Sequence, residues 1–174
     1  WARLADLGLA ERAYLEDHPR DAVDALRRAE RRARDFEEED PLTLSAVRLE
    51  LARAYLASGR ESSAESILER IEEEGRDLPP ALDEFRGYLS AVVLWHDSQE
   101  KDYWRALAEF EDLYPKSEYL PSLLWTAATW NRGRKLDPED YGQELLRELL
   151  DFYPDSPEAL MVRQLYNLSP GTRR

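Results

Sequence analysis

Cysteine is absent from the 174 residues, which excludes disulfides, thiol catalysis, iron–sulfur clusters and the common structural zinc sites. Histidine is nearly absent. His18 and His96 are the only two; they do not stand at the i, i+4 spacing of a helical metal pair, and neither neighbours a strand–turn–helix serine motif. Glycine numbers seven, with no two closer than nine residues, so no glycine-rich phosphate cradle can form. No apolar run approaches the roughly 20 residues of a membrane-spanning helix. Lysine is reduced to Lys101, Lys116 and Lys135. The other 21 of the 24 basic residues are arginine, and 37 acids outweigh them to a net charge of −13. A chain of that sign excludes nucleic acid as the main partner, because binding it takes a cationic face that displaces counterions. Among so many acids, carboxylate pairs recur by composition alone and carry no weight for glycosidase chemistry. The sequence points to no catalytic residue, no cofactor and no metal site.

What is present is a helical pattern with regular punctuation. Hydrophobic residues make up 43% of the chain, close to the globular norm, so this is not a disordered acidic tail. Ten prolines, at 19, 41, 79, 80, 115, 121, 138, 154, 157 and 170, fall at segment boundaries or starts, since proline continues a helix only in its first turn. Gly59, Gly75 and Gly133 follow periodic runs, where a left-handed C-terminal cap is expected. Between these marks the apolar residues recur every three or four positions, the helix period, and no segment shows the β-branched alternation of a strand. The spacing predicts helices over 2–16, 20–37, 42–58, 61–74, 80–96, 99–114, 118–132, 138–152 and 157–167. The expected fold class is all-α.

The punctuation itself repeats. Pro41, Pro79, Pro115 and Pro154 are spaced by 36 to 39 residues, and Tyr114-Pro115-Lys116-Ser117 returns as Tyr153-Pro154-Asp155-Ser156. A period of this length carried by helix pairs is the signature of an α-solenoid. Leu51-Ala52, Tyr55, Gly59, Ala64, Leu68 and Ile71 give the clearest unit. Small Ala52 and Ala64 allow two helices to approach closely, while Leu68 and Ile71 fill the space against the next pair. Weaker versions are Ala10, Tyr14, Ala22, Leu26 and Ala29; Ala91, Leu94, Tyr103, Leu107 and Phe110; and Trp125, Ala127/Ala128, Trp130, Gly142, Leu146 and Leu149. Tyr103 stands where a small residue is usual, so looser or shifted packing is expected there.

These residues resemble the tetratricopeptide repeat (TPR): small–x–x–aromatic, a helix-ending Gly, then small–x–x–x–large–x–x–apolar. The resemblance implies a single right-handed α-solenoid of about four helix pairs, over about 2–38, 42–76, 80–115 and 118–154, with a capping helix at 157–167. The aromatic-Pro-x-Ser junctions at Tyr114 and Tyr153 are similar to those of the bacterial periplasmic branch of the family, which includes the BamD-type assembly lipoproteins and the YbgF/CpoB type. That branch implies a periplasmic, outer-membrane-anchored scaffold, with membrane association only through a lipidated cysteine upstream of Trp1; a cytoplasmic chain is the alternative. Ser117 and Ser156 as helix N-caps, with Pro157 at a first helical position, give the junctions a local reason as well.

The resemblance further implies that the first helix of each pair lines a concave groove holding a protein or peptide partner. Projected onto the pattern, Arg53, Phe85, Tyr88, Val92, Trp95, Trp125 and Thr129 fall on or near that face, with Phe85, Tyr88, Val92 and Trp95 on one helical stripe. Aromatic and arginine residues there are typical interface anchors. The competing reading makes the aromatics core, filling space where consensus residues are missing. Arg27 to Arg34 is the one basic cluster; Asp24 stands i, i+4 from Arg28 and Glu37 to Asp40 follow, so it reads as a solvated helix face. Glu72-Glu73-Glu74 reads as an exposed helix end, although acid at a C-terminus opposes the helix dipole. The function expected is a non-catalytic interaction scaffold. The alternatives are a cytosolic regulatory or chaperone-like adaptor that docks a basic peptide, and a non-catalytic module of a larger enzyme.

Overall fold

The computed structural model describes residues 2–38, 40–130 and 141–165. All the regular secondary structure among them is helical: α1 (Ala2–Leu15), α2 (Pro19–Arg34), α3 (Pro41–Ala57), α4 (Glu61–Glu73), α5 (Pro80–His96), α6 (Glu100–Leu113), α7 (Leu120–Trp130), α8 (Tyr141–Phe152) and α9 (Pro157–Leu165). No described helix is long and apolar enough to cross a membrane. The chain divides into two compact units, Trp1–Glu100 and Lys101–Arg174, so α5 and nearly all of α6 belong to different units. This boundary falls within the span 80–115 read as the third helix pair.

The helix ends follow from local chemistry. Gly59 and Gly75 take positive φ (69° and 58°), closing α3 and α4 in the left-handed conformation that glycine adopts without a Cβ penalty. Asp40 caps α3, its carboxylate accepting from the Thr43 amide at 3.2 Å. Ser156 does the same for α9 through the Ala159 amide at 3.1 Å, with Pro157 at the first helical position. Two described ends differ by more than one residue from the expected ones. α2 stops at Arg34, three residues early, because the Phe36 and Glu37 amides turn back to Ala33 and Arg34, and Asp40 then caps the next helix. α7 starts at Leu120 rather than 118: the Ser117 hydroxyl accepts from the Tyr119 amide and closes a separate turn, so Ser117 is not the N-cap of α7. Gly133, residues 131, 132 and 138–140, and 166–167 of the expected capping helix lie outside the described residues.

In the first unit α3 is enclosed by α2, α4 and α5. It accordingly buries residues around most of its circumference, including Leu44, Val47, Leu49, Leu51, Ala52 and Ala54. Ala22, Ala29, Ala52 and Ala64 have no exposed surface, as close helix approach requires. One charged residue of α3 also lies inside. The Arg48 side chain is 4% exposed and is held by Glu74 at 2.5 Å and Glu30 at 3.4 Å. This explains the acid at the end of α4: Glu74 is placed there for a buried guanidinium, and Arg76 approaches it as well. The basic cluster of α2 is tied down rather than freely solvated. Arg28 pairs with buried Asp6 of α1 at 3.2 Å, not with Asp24; Arg32 also pairs with Asp6, and Arg34 pairs with Glu30.

In the second unit Tyr103 is fully buried, its hydroxyl donating to the Leu123 carbonyl at 2.7 Å. The large residue at this position is therefore accommodated by a hydrogen bond and close packing, not by a loose fit. Ala127 and Ala128 are both buried, and Gly142 of α8 lies against the Ala128 carbonyl. α9 closes over α8 through Ala159, Val162 and Leu149, with Trp125, Leu146 and Tyr153 packed around them.

Candidate partner-binding site

In the first unit Arg53 lies on α3 and Phe85, Tyr88, Val92 and Trp95 on α5, and Tyr14 of α1 joins them. Arg53 is the hub. Its guanidinium lies 4.4 Å from the centre of the Tyr14 ring and 5.9 Å from that of Phe85, and it pairs with Glu50 one turn earlier at 2.7 Å. Tyr14 donates its hydroxyl to the Glu50 backbone carbonyl at 3.2 Å, which ties α1 to α3. Burial pushes the Glu50 carboxyl up and Arg53 pulls it back; the Tyr14 hydroxyl is likewise raised by burial and countered by Arg53.

The α5 stripe continues the site. Phe85 is 8% exposed and stacks on Tyr88 with ring centres 6.5 Å apart and planes within 14°. It supports Arg53 and Tyr88 from below and offers little surface itself. Tyr88 and Val92 are half-buried, whereas Trp95 is 37% exposed and meets the His96 ring edge-on at 4.5 Å. His96 in turn approaches Glu61 of α4 at 3.5 Å. The structure thus brings Arg53, Phe85 and Tyr88 into direct contact or stacking, with Val92 and Trp95 further along the same helix.

Trp125 and Thr129 belong to the second unit. Trp125 packs on Leu149, Ala159 and Val162, and the Thr129 hydroxyl donates back to the Trp125 and Thr126 carbonyls. Both have structural roles there. The side chain of Trp130 lies outside the described residues. Tyr14 and Glu50 are the members of the Arg53 cluster not singled out from sequence as groove residues. The i, i+3 spacing of Glu50 and Arg53 was the readable signal for one of them. A second arginine–aromatic arrangement lies nearby: Arg27 and Arg60 both approach the Tyr55 ring, at 5.6 Å and 4.8 Å, and Arg27 donates to its hydroxyl at 2.8 Å.

Among the described residues no group of three or more His, Asp or Glu side chains could hold a metal ion. No protein-family model matches the chain, and no curated protein or solved structure matches it. The class the fold defines is an all-helical protein with a half-exposed arginine–aromatic cluster on α1, α3 and α5.

Proposed function

We propose that the chain is a non-catalytic interaction scaffold, a right-handed solenoid of TPR-like helix pairs. In this reading the α3–α5 face of the first unit receives a peptide or a segment of a partner domain. The supporting observation is the Arg53 cluster. A guanidinium has five donors in a fixed plane, and Glu50 and the two rings fix that plane while leaving the side chain 46% exposed. A donor held in place before binding spares the partner the ordering cost. The segment that fits presents a carboxylate or backbone carbonyl to Arg53 and an apolar side chain to Tyr88, Val92 and Trp95.

Peptides selected from a random displayed library against the full chain test this reading. Arg53→Ala, Tyr88→Ala and Trp95→Ala should each weaken the selected peptides by about tenfold or more, the loss expected of central anchors. Binders indifferent to all three substitutions would remove the assignment. A salt titration separates the adaptor alternative: a basic peptide on the acidic surface weakens steeply with salt, whereas the arginine–aromatic face, with at most one ion pair at Arg53, weakens much less.

A further inference from the structure

A cleft of about 520 Å³ lies within the second unit, its lining divided about evenly between polar and apolar surface. Pro115, Leu120, Phe152 and Tyr153 line it, and Glu111 of α6, Glu148 of α8 and Lys116 complete it. Phe152 is 74% exposed, so its ring is available at the cleft. Among the described residues no cation stands within 4.0 Å of Glu111 or Glu148, and Lys116 is not paired with either. The acids are close enough to feel one another. Burial raises the Glu111 carboxyl, with Glu148 and Asp112 adding to it, and burial followed by Glu148 and Glu111 raises the Tyr153 hydroxyl. The cleft is therefore an electronegative, partly desolvated spot with an aromatic rim.

We infer that this cleft takes the side chain of an arginine on a partner protein, the guanidinium held by Glu111 and Glu148 and its stem and flat face lying on Tyr153 and Phe152. Charge complementarity selects a cation, and the lining selects which one. A guanidinium donates to two carboxylates at once and stacks on aromatic rings, whereas a lysine ammonium is a hydrated point charge that does neither as well. A divalent ion is disfavoured because the two carboxylates have no third His, Asp or Glu ligand beside them among the described residues. The inference is independent of the Arg53 face, since every residue it uses belongs to the second unit.

The test is a titration of the full isotopically labelled chain with acetyl-Leu-Arg-Leu-amide, followed by amide chemical shifts, with the citrulline peptide as its neutral isostere. Shifts should centre on Leu120, Glu148 and Tyr153. Glu111→Gln and Glu148→Gln should each weaken binding by about threefold to fivefold, in the range of a solvent-accessible ion pair. Lys116→Gln should tighten it by a similar factor, a gain that misfolding cannot produce. The citrulline peptide should fail, and Arg53→Ala should leave the affinity unchanged, which separates this site from the first. Equal binding of arginine and citrulline peptides, shifts centred elsewhere, or calcium perturbing the same amides while the arginine peptide does not, would each overturn the inference.

Discussion

Asp17 and Ser98 end α1 and α5 with φ of 56° and 59°, the same left-handed turn that Gly59 and Gly75 make. At Asp17 the His18 amide reaches back to the Ala13 carbonyl at 2.8 Å, and at Ser98 the Gln99 amide reaches the Leu94 carbonyl at 3.0 Å. A side chain in this conformation costs roughly 1–2 kcal/mol. Asp17→Gly and Ser98→Gly should therefore raise stability by about 0.5–1 kcal/mol each in urea denaturation, and Gly59→Ala should lower it by about 1 kcal/mol. The glycine-marked ends were legible because glycine is the common solution. The other two were not, because nothing in an isolated Asp or Ser distinguishes a left-handed cap from an ordinary surface residue. Glu111 gives a second residue-scale expectation. Its carboxyl is raised above the ordinary 4.5 by burial and acidic neighbours, so the folded state holds that proton more tightly than the unfolded chain. The resulting stability is complete below pH about 4.5 and is lost as pH rises through the raised value. Glu111→Gln should stabilise the protein at pH 7, and the gain should shrink to nothing near pH 4 in denaturation curves run across that range.

Among the helices, α3 carries the first unit, and Arg48 is its most exposed liability in energetic terms. Glu30 of α2 and Glu74 beyond α4 meet on this guanidinium, so one ionic contact joins three consecutive helices. Removing the cation takes their buried partner from two carboxylates of little exposure, leaving Glu30 the half-exposed Arg34 and Glu74 the more distant Arg76. Arg48→Ala should cost about 3–5 kcal/mol, and a double-mutant cycle with Glu74→Ala should show coupling above about 1 kcal/mol. Thermal or urea unfolding of the four proteins measures both. The helices themselves were legible from proline positions and apolar period, and α5 begins and ends where the spacing placed it. The partners of the charges were not. Asp24 stands one turn before Arg28 on the same helix, yet Arg28 turns to Asp6, because pairing across the α1–α2 contact satisfies a buried carboxylate. The acids at the end of α4 opposed the helix dipole in the sequence, and only the fold supplies the arginine that accounts for Glu74.

Over the whole molecule, each of the two units has its own apolar interior and its own exposed aromatic feature. In the second unit α9 closes the end: Ala159 and Val162 cover Leu149, which is fully buried. A chain ending at Pro154 uncovers Leu149 and its neighbours, at roughly 1.5–3 kcal/mol for each large side chain returned to water. Its second unit should unfold earlier and less cooperatively, and its solubility should fall; a shortened chain as soluble and cooperative as the parent would remove the capping role of α9. The Arg53 face was partly legible at this scale. The repeat register set the expectation that Arg53, Phe85 and Tyr88 share one face, but Tyr14 and Glu50, which hold the guanidinium in place, join them only through the contact of α1 with α3. The most direct measurement is photo-crosslinking of a library-selected peptide to full-length chains carrying benzoylphenylalanine at Tyr88, at Trp95 or at the exposed control Arg31. Crosslinks from Tyr88 and Trp95 with none from Arg31 are the expected result. Crosslinking from Arg31 with silence at Tyr88 and Trp95 would contradict the account.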